Sequence, residues 1–190
     1  MATRFLIRVL DIVFALVGLV FGIPVLFTIT LIGFFDTGSP LFLQQRVGRH
    51  RKPFVLVKFR TMKPDTASVA SHLASADAIT PFGLFLRRTK LDELPQLWNV
   101  LKGEMSFVGP RPCLFNQEEL IEERERAGVL NARPGITGLA QVNDIDMSTP
   151  ALLAETDQKM LESLTVGAYF KYILMTISGR GVGDRVPGKD

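Results

Sequence analysis

With 190 residues, the chain has room for one ordinary domain and a short appendage, which excludes two full domains. Its hydrophobic content of 47% is high for a soluble protein, yet 22% of its residues are charged and the net charge is +3. This mixture predicts a polar body attached to a membrane element. The single cysteine excludes an intrachain disulfide, and neither histidine has a cysteine near it in sequence. A His/Cys zinc site is therefore disfavoured, and a reducing, cytoplasm-facing environment is expected.

The first predicted element is an apolar N-terminal helix. Residues 12–35 carry no charged side chain and, at about 1.5 Å per residue, would cross a hydrocarbon core of roughly 30 Å. A cleaved signal peptide is disfavoured, because the apolar run is long and no small-residue cleavage site is evident. Pro24 removes a hydrogen bond near the middle, and basic residues before the run (Arg4, Arg8) and after it favour the cytoplasmic face for both ends. The sequence thus favours a re-entrant membrane helix formed by residues 1–36. A spanning anchor is the open alternative.

A basic cluster follows the apolar helix. Such a density of positive charge favours anionic lipid headgroups or phosphate-bearing ligands. Neither an aromatic-interleaved basic stripe nor helix-turn-helix spacing accompanies it, so we expect no nucleic acid partner. The cluster comprises Arg46, Arg49, Arg51, Lys52, Lys58, Arg60 and Lys63.

Beyond the apolar helix, short strands and helices are predicted. Two β-prone runs, 41–45 and 53–59, predict a hairpin, whereas residues 64–80 are either a mobile loop or a poorly fixed helix. The helix expected at 118–126 has the Glu/Arg content of a solvated helix, and the one at 166–177 is too short to span a bilayer and is favoured to lie in the interface. Further helices are expected at 82–88, at 95–102 and from residue 150 onwards.

These patterns predict a helix-rich α+β fold. It would combine the re-entrant helix with a small β-hairpin and interfacial amphipathic helices around a compact catalytic core. Residues 37–178 would form the cytoplasm-facing catalytic domain and residues 179–190 a flexible tail. Within that tail, residues 183–189 have the glycine and lysine spacing of a phosphate-binding loop, but Asp190 replaces the required Ser/Thr.

Asp92 and Glu93 are the acidic residues with the most informative surroundings. Pro95 suits the first turn of a helix, so the two carboxylates lie at its N-terminus, where capping is one interpretation. The other is chemical: adjacent side chains point in different directions, so one carboxylate can attack phosphorus while the other holds a divalent cation. Arg87 lies upstream and Arg111, between two prolines, lies downstream, and guanidinium groups bind phosphate well. A glycosidase pair is disfavoured, because its carboxylates must flank a sugar across roughly 5 Å or more.

Three segments together carry a family resemblance. They read KFRTM at 58–62, LDELPQLWNVLKGEMSFVGPRP at 91–112 and RPGITGLAQVN at 133–143. In these segments the chain resembles the monotopic phosphoglycosyl transferases, bacterial sugar transferases that initiate glycoconjugate assembly. The resemblance covers nearly the whole chain, and it implies the re-entrant helix with Pro24 at its break. The chain resembles the minimal catalytic unit of that family, without the N-terminal transmembrane bundle of larger relatives.

The resemblance also implies a reaction and a set of site residues. Asp92 would attack the sugar-bearing phosphate of a UDP-sugar and release UMP, and the phosphosugar would then pass to undecaprenyl phosphate, a polyprenyl phosphate lipid. Glu93 would be the Mg²⁺ ligand. Pro134 and Gly135 would face the nucleotide, and Asp157 would support the metal or an arginine network. The residues implied to contact phosphate are Lys58, Arg60, Arg87 and Arg111.

The resemblance leaves the choice of sugar open. The expected partners are a UDP-sugar and the polyprenyl phosphate lipid, and the sugar is expected to be an N-acetylated amino sugar. The protein is expected at the bacterial inner membrane, with its catalytic domain on the cytoplasmic face. Many members continue the Gln-Val-Asn block with Gly-Arg, whereas this chain has Asp144 and Ile145 there. A non-enzymatic protein that binds anionic lipids would account for the basic cluster, but it would leave Asp92 and Glu93 without a purpose.

Overall fold

The computed structural model describes residues 2–66 and 76–181 of the chain. The strands are β1 (Leu41–Val47), β2 (Pro53–Phe59), β3 (Ser106–Val108) and β4 (Gly135–Thr137). The helices are α1 (Ala2–Thr37), α2 (Pro81–Thr89), α3 (Gln96–Lys102), α4 (Glu118–Arg126), α5 (Leu139–Val142), α6 (Pro150–Glu162) and α7 (Val166–Ile177). Short 3-10 turns lie at Arg49–Arg51, Ala76–Ala78, Leu91–Glu93 and Val129–Asn131.

The helix-rich α+β fold and its antiparallel hairpin are confirmed. β1 pairs with β2 so that Leu41 lies opposite Phe59 and Val47 opposite Pro53, and β1 therefore ends at Val47 rather than at residue 45. The bounds of α4 and α7 agree with the predicted ones. Part of the expected loop, residues 67–75, and most of the expected tail, residues 182–190, lie outside the described residues.

The sequence does not predict the second pair of strands. β3 and β4 pair in parallel, with Ser106 opposite Gly135. Strands of three residues are too short to show alternation, and residues 133–135 have the composition of a turn. The close pairing requires glycine, because a Cβ added at Gly135 would lie 2.1 Å from the backbone nitrogen of Gly109. This ladder fixes the segment that follows β3 against the segment that precedes β4.

One face of α1 lies against the rest of the protein along the length of the helix. Two glycines allow close contact: a Cβ added at Gly18 would lie 2.9 Å from Leu97 Cδ1, and one added at Gly33 would lie 2.8 Å from Pro40 Cβ. The helix continues through Pro24, whose carbonyl accepts a hydrogen bond of 2.8 Å from the Thr28 hydroxyl. The buried residues of this face recur in steps of four within each half of the helix: Ile7, Asp11 and Ala15, then Ile29 and Gly33.

The opposite face of α1 is apolar and exposed. Phe21, Phe27 and Phe35 are among its exposed side chains. By length and composition α1 is able to cross a membrane, with a mean hydropathy of 2.7 in its most apolar window. An exposed apolar face of this extent marks a surface that contacts a membrane or another protein.

A buried carboxylate fixes the beginning of α1 to two other elements. Asp11 Oδ1 accepts hydrogen bonds of 3.0 Å from the Ser106 hydroxyl and the Phe107 backbone N–H of β3, and from the Tyr169 hydroxyl of α7. Burial raises the pKa of Tyr169, and the neighbouring Asp11 carboxylate raises it further, so the phenol stays a donor. One turn earlier, Arg8 donates to the carbonyls of Val100 and Leu101 at the end of α3, at 2.8 and 3.1 Å.

Candidate active site

A narrow cleft lies between the hairpin, the beginning of α3 and β4. Four of the site residues predicted from the sequence line this cleft: Lys58, Glu93, Arg111 and Gly135. Its remaining lining residues are Arg46, Leu56, Gln96, Pro112 and Ile136. The cleft therefore combines cationic side chains with a carboxylate in a single small volume.

Asp92 and Glu93 lie in the 3-10 turn between α2 and α3 and have different surroundings. Glu93 faces the cleft, where its Oε1 lies 3.4 Å from Arg111 Nη2. Asp92 is buried, with 4% of its surface exposed. Of these two neighbouring carboxylates, that of Glu93 lines the cleft and that of Asp92 does not.

Lys90 connects this turn to the end of α7. Its backbone has a left-handed φ of 57°, and its Nζ donates to the carbonyls of Thr176, Arg180 and Gly181 at 3.1, 2.9 and 2.7 Å. Burial lowers the pKa of Lys90, and Arg111 lowers it further, while Glu93 opposes the change. Nothing in the local sequence around Lys90 indicates these partners at the far end of the chain.

The backbone on both sides of Arg111 is held by other elements. The Pro110 carbonyl accepts a hydrogen bond of 2.8 Å from the Gly135 N–H, and the Arg111 carbonyl accepts one of 2.7 Å from Arg124 Nη1. Arg124 Nε and Nη2 also donate to Asp157 Oδ2, at 3.0 and 2.7 Å. Asp157 therefore acts on the cleft through Arg124 and is not among its lining residues.

The expectation that α4 is solvated is wrong at Arg124, which is 2% exposed. Its helix carries Glu and Arg side chains that do face solvent, but this one enters the interior to reach Asp157 on α6. Burial raises the pKa of Asp157, and the charge of Arg124 opposes the rise. The pair is thus a buried element that supports the Arg111 backbone.

The other residues singled out from sequence lie apart from the cleft lining. Arg60 donates from Nε to the Ser39 carbonyl at 2.9 Å, at the open end of the hairpin. Arg87 donates from Nε to the Thr61 hydroxyl at 2.9 Å. Pro134 is buried, and its carbonyl accepts the Ser106 N–H at 2.9 Å as part of the β3–β4 pairing. Arg46 and Gln96, which line the cleft, were not singled out as site residues.

The donor atoms of the cleft fit a magnesium ion that is shared with a phosphate ligand. The part of the chain that the structure describes holds no group of three or more His, Cys, Asp or Glu side chains able to bind a metal. Mg²⁺, however, is commonly held by one or two carboxylates together with substrate phosphates and water. Glu93 supplies such a carboxylate, and the Gln96 side chain adds an amide oxygen in the same cleft.

Comparison with known proteins gives a consistent result. The model of the family described as bacterial sugar transferase matches residues 2–180. The chain is 38% identical over 169 residues to the undecaprenyl-phosphate galactose phosphotransferase of Salmonella typhimurium, covering 78% of this chain and 35% of that protein. It is 42% identical over 143 residues to the UDP-glucose:undecaprenyl-phosphate glucose-1-phosphate transferase of Caulobacter vibrioides, covering 73% and 54%.

A third relative is named for a different sugar. A Bacillus subtilis protein, provisionally named an undecaprenyl-phosphate N-acetylgalactosaminyl 1-phosphate transferase, is 45% identical over 108 residues, covering 55% of this chain and 60% of that protein. The chain thus spans between 35% and 60% of the length of these three relatives. Their names agree on the lipid and differ in the sugar.

The buried pair makes Asp157→Asn a test of the support for Arg111. Asparagine has nearly the same volume but leaves the Arg124 guanidinium buried without its counter-charge. We expect the free energy of unfolding to fall by about 3–5 kcal/mol, measured by denaturation in a neutral detergent.

Glu155→Gln is the matched control on the same helix. Its ion pair with Lys159, at 2.6 Å, is exposed, so its loss should change stability little. Equal losses in the two variants would contradict a special role for the buried pair.

Proposed function

Because the chain belongs to the bacterial sugar transferase family, we propose that it transfers a sugar 1-phosphate from a UDP-sugar to undecaprenyl phosphate and releases UMP. The observation that carries this proposal is the cleft in which Lys58, Arg46 and Arg111 lie together with Glu93, the neighbour of Asp92. Guanidinium and ammonium groups in a small cleft suit a diphosphate. The names of the relatives support the lipid acceptor.

In the proposed reaction, Asp92 is the nucleophile. One carboxylate oxygen forms a bond to the sugar-bearing phosphorus, while the bond from that phosphorus to the bridging oxygen breaks and its electron pair leaves with UMP. An oxygen of undecaprenyl phosphate then forms the second bond to the same phosphorus, and the bond to Asp92 breaks to restore the carboxylate. Covalent catalysis of this kind divides one difficult displacement into two easier ones.

The burial of Asp92 suits such an intermediate. Asp92 is not among the residues that line the cleft, and with 4% of its surface exposed its carboxylate is shielded from bulk water. Exclusion of water protects a reactive acyl phosphate from hydrolysis. Arg111, held by its backbone at both flanks, would contact a phosphate oxygen without first being ordered.

Mg²⁺ is the proposed cofactor, with Glu93 as its protein ligand and Gln96 beside it. When bound, it would neutralise the charge of the diphosphate. Glu93 Oε1 lies 3.4 Å from Arg111 Nη2. This carboxylate is therefore beside a cation that would bind the same diphosphate. The sugar is proposed to be an N-acetylated amino sugar, a choice supported by the name of the Bacillus subtilis relative.

We further propose that residues 1–36 form a re-entrant helix in the bacterial inner membrane and that residues 37–178 form the catalytic domain on the cytoplasmic face. The contacts of α1 support this arrangement. Ile7 and Gly33 are both buried against the body, and along a straight helix they would be about 39 Å apart. That distance exceeds a hydrocarbon core of roughly 30 Å, so a helix crossing the bilayer would place one of these contacts on the wrong side.

Asp92→Asn tests the nucleophile. Incubated with UDP-sugars, Mg²⁺ and polyprenyl phosphate, this variant should release UMP at least about 10³-fold more slowly than the wild type and trap no phosphosugar adduct. Asp77→Asn, an exposed aspartate in the Ala76–Ala78 turn, is the control and should behave as the wild type. Wild-type turnover by Asp92→Asn would show that another group attacks. A panel of UDP-sugars with and without the N-acetyl group identifies the sugar.

Glu93→Gln tests the metal ligand. Chelation of Mg²⁺ should stop UMP release by the wild type, and Glu93→Gln should raise the Mg²⁺ concentration for half-maximal release by about tenfold, because a charged contact is lost. Glu125→Gln, which removes an exposed carboxylate paired with Arg51, is the control. An unchanged Mg²⁺ dependence in Glu93→Gln would exclude it as the ligand.

Cysteines at the two ends of α1 test its topology. Cys113 is buried and adds little background, so Thr3→Cys and Ser39→Cys can each be labelled with a membrane-impermeant maleimide. In spheroplasts we expect neither cysteine to react until the membrane is permeabilised, after which both should. Labelling of one end alone in intact spheroplasts would establish a spanning helix.

A further inference from the structure

A second cavity, larger than the catalytic cleft, lies at the beginning of α1. It has a volume of about 380 Å³, is open to solvent, and shares no lining residue with the cleft. It is bounded by the first turns of α1, the Arg49–Arg51 turn, the segment 127–133 and the end of α6. Its charged lining residues are Arg4, Arg8, Arg49, Arg133, Asp11 and Glu162.

The charges of this cavity are unbalanced. Four arginines and two carboxylates leave a net charge of +2 among its lining residues. Asp11 is already engaged, because its Oδ1 accepts three hydrogen bonds and its Oδ2 lies 3.9 Å from Arg8 Nη1. Glu162 Oε1 accepts a hydrogen bond of 2.9 Å from the Gln158 amide. The cavity therefore attracts an anion.

Two of the guanidinium groups are oriented in advance. Arg49 donates from Nε to the Asn131 carbonyl, and Arg133 donates from Nε to the Gly103 carbonyl, each at 2.9 Å. Among the described residues, the terminal nitrogens of both side chains have no hydrogen-bond partner. An arginine fixed through Nε presents its two terminal nitrogens as a rigid fork, which matches two oxygens of a phosphate.

The electrostatics of Arg133 agree with this geometry. Burial lowers the pKa of Arg133, and the positive charges of Arg8 and Arg49 lower it further. These like charges are close enough to destabilise one another, and a bound anion would relieve that repulsion. Arg4, one turn before Arg8, makes no hydrogen bond or ion pair within the part of the chain that the structure describes, so it is available to the same ligand.

The position of the cavity indicates where the ligand comes from. Arg4 and Arg8 directly precede the uncharged segment 12–35, so the cavity opens at the point where α1 begins its apolar run. At such a boundary, basic residues meet the headgroups of anionic lipids. We propose that this cavity binds a phosphate group, with the headgroup of an anionic phospholipid as its source, at a site separate from the catalytic cleft.

The proposal is tested by binding and uses no UDP-sugar, so it succeeds or fails independently of the proposed reaction. Purified full-length protein in a neutral detergent is titrated with short-chain phosphatidylglycerol, short-chain phosphatidylcholine or inorganic pyrophosphate at constant ionic strength. Affinity is obtained from the ligand-dependent rise in unfolding temperature. Arg49→Gln/Arg133→Gln should weaken binding of the anionic ligand by about tenfold or more, because charged hydrogen bonds are lost.

Arg51→Gln/Arg126→Gln is the matched control. It removes the same charge from exposed arginines that pair with glutamates and do not line the cavity, so binding should be retained. Phosphatidylglycerol bound more tightly than phosphatidylcholine and pyrophosphate identifies the lipid as the source. Pyrophosphate bound as tightly, with the same sensitivity to Arg49→Gln/Arg133→Gln, supports a phosphate site but identifies a soluble source.

A failure of the double variant to fold does not leave the question open. Arg4→Gln loses no bond among the described residues, so it should keep the wild-type unfolding temperature and still bind the anionic ligand more weakly. The proposal is wrong if no phosphate compound binds. It is equally wrong if the cavity variants and the control variant bind with the same affinity.

Discussion

The burial of Asp11 is the constraint on which the arrangement of this protein depends. A carboxylate at the interior face of an apolar helix needs donors, and it finds them on β3 and on α7, elements more than ninety residues further along the chain. Satisfying this one group sets the rotation of α1, because its contact face must then include Ile7, Ala15, Ile29 and Gly33. The side of α1 that does not contact the protein is then its exposed apolar face. A polar contact inside the protein thus determines which side of α1 meets the membrane.

The β3–β4 ladder connects the Asp11 contact to both the cleft and the cavity beside α1. Asp11 binds Ser106 and Phe107 of β3, and β3 pairs with β4 across glycines that allow very close approach. Gly135 at the beginning of β4 lines the candidate active-site cleft, whereas Arg133, two residues earlier, lines the cavity beside α1. Two short strands therefore position residues of both the cleft and the cavity.

Local patterns in the sequence predicted the elements that depend on local physics. The hairpin, α4 and α7 follow from alternation, periodicity and turn residues, and their bounds agree closely. The cleft could not be predicted in that way, because Arg46 joins its lining through a contact that is distant in sequence: its Nη1 donates to the Pro112 carbonyl, 66 residues further along the chain. The local residue types pointed to Glu93 and Arg111, and the resemblance added site roles for Lys58 and Gly135. The burial of Arg124 was missed because its partner Asp157 lies 33 residues further along the chain.

The ion pair between Arg124 and Asp157 is best understood through its third contact. A buried ion pair is weak evidence for stability, since apolar side chains of similar volume often serve the fold as well. An apolar pair would not supply the hydrogen bond of 2.7 Å that Arg124 also donates to the Arg111 carbonyl. That bond and the one from Gly135 to the Pro110 carbonyl hold the backbone around Arg111 from opposite sides. The two interior charges therefore serve to fix the backbone of Arg111, beyond any contribution to stability.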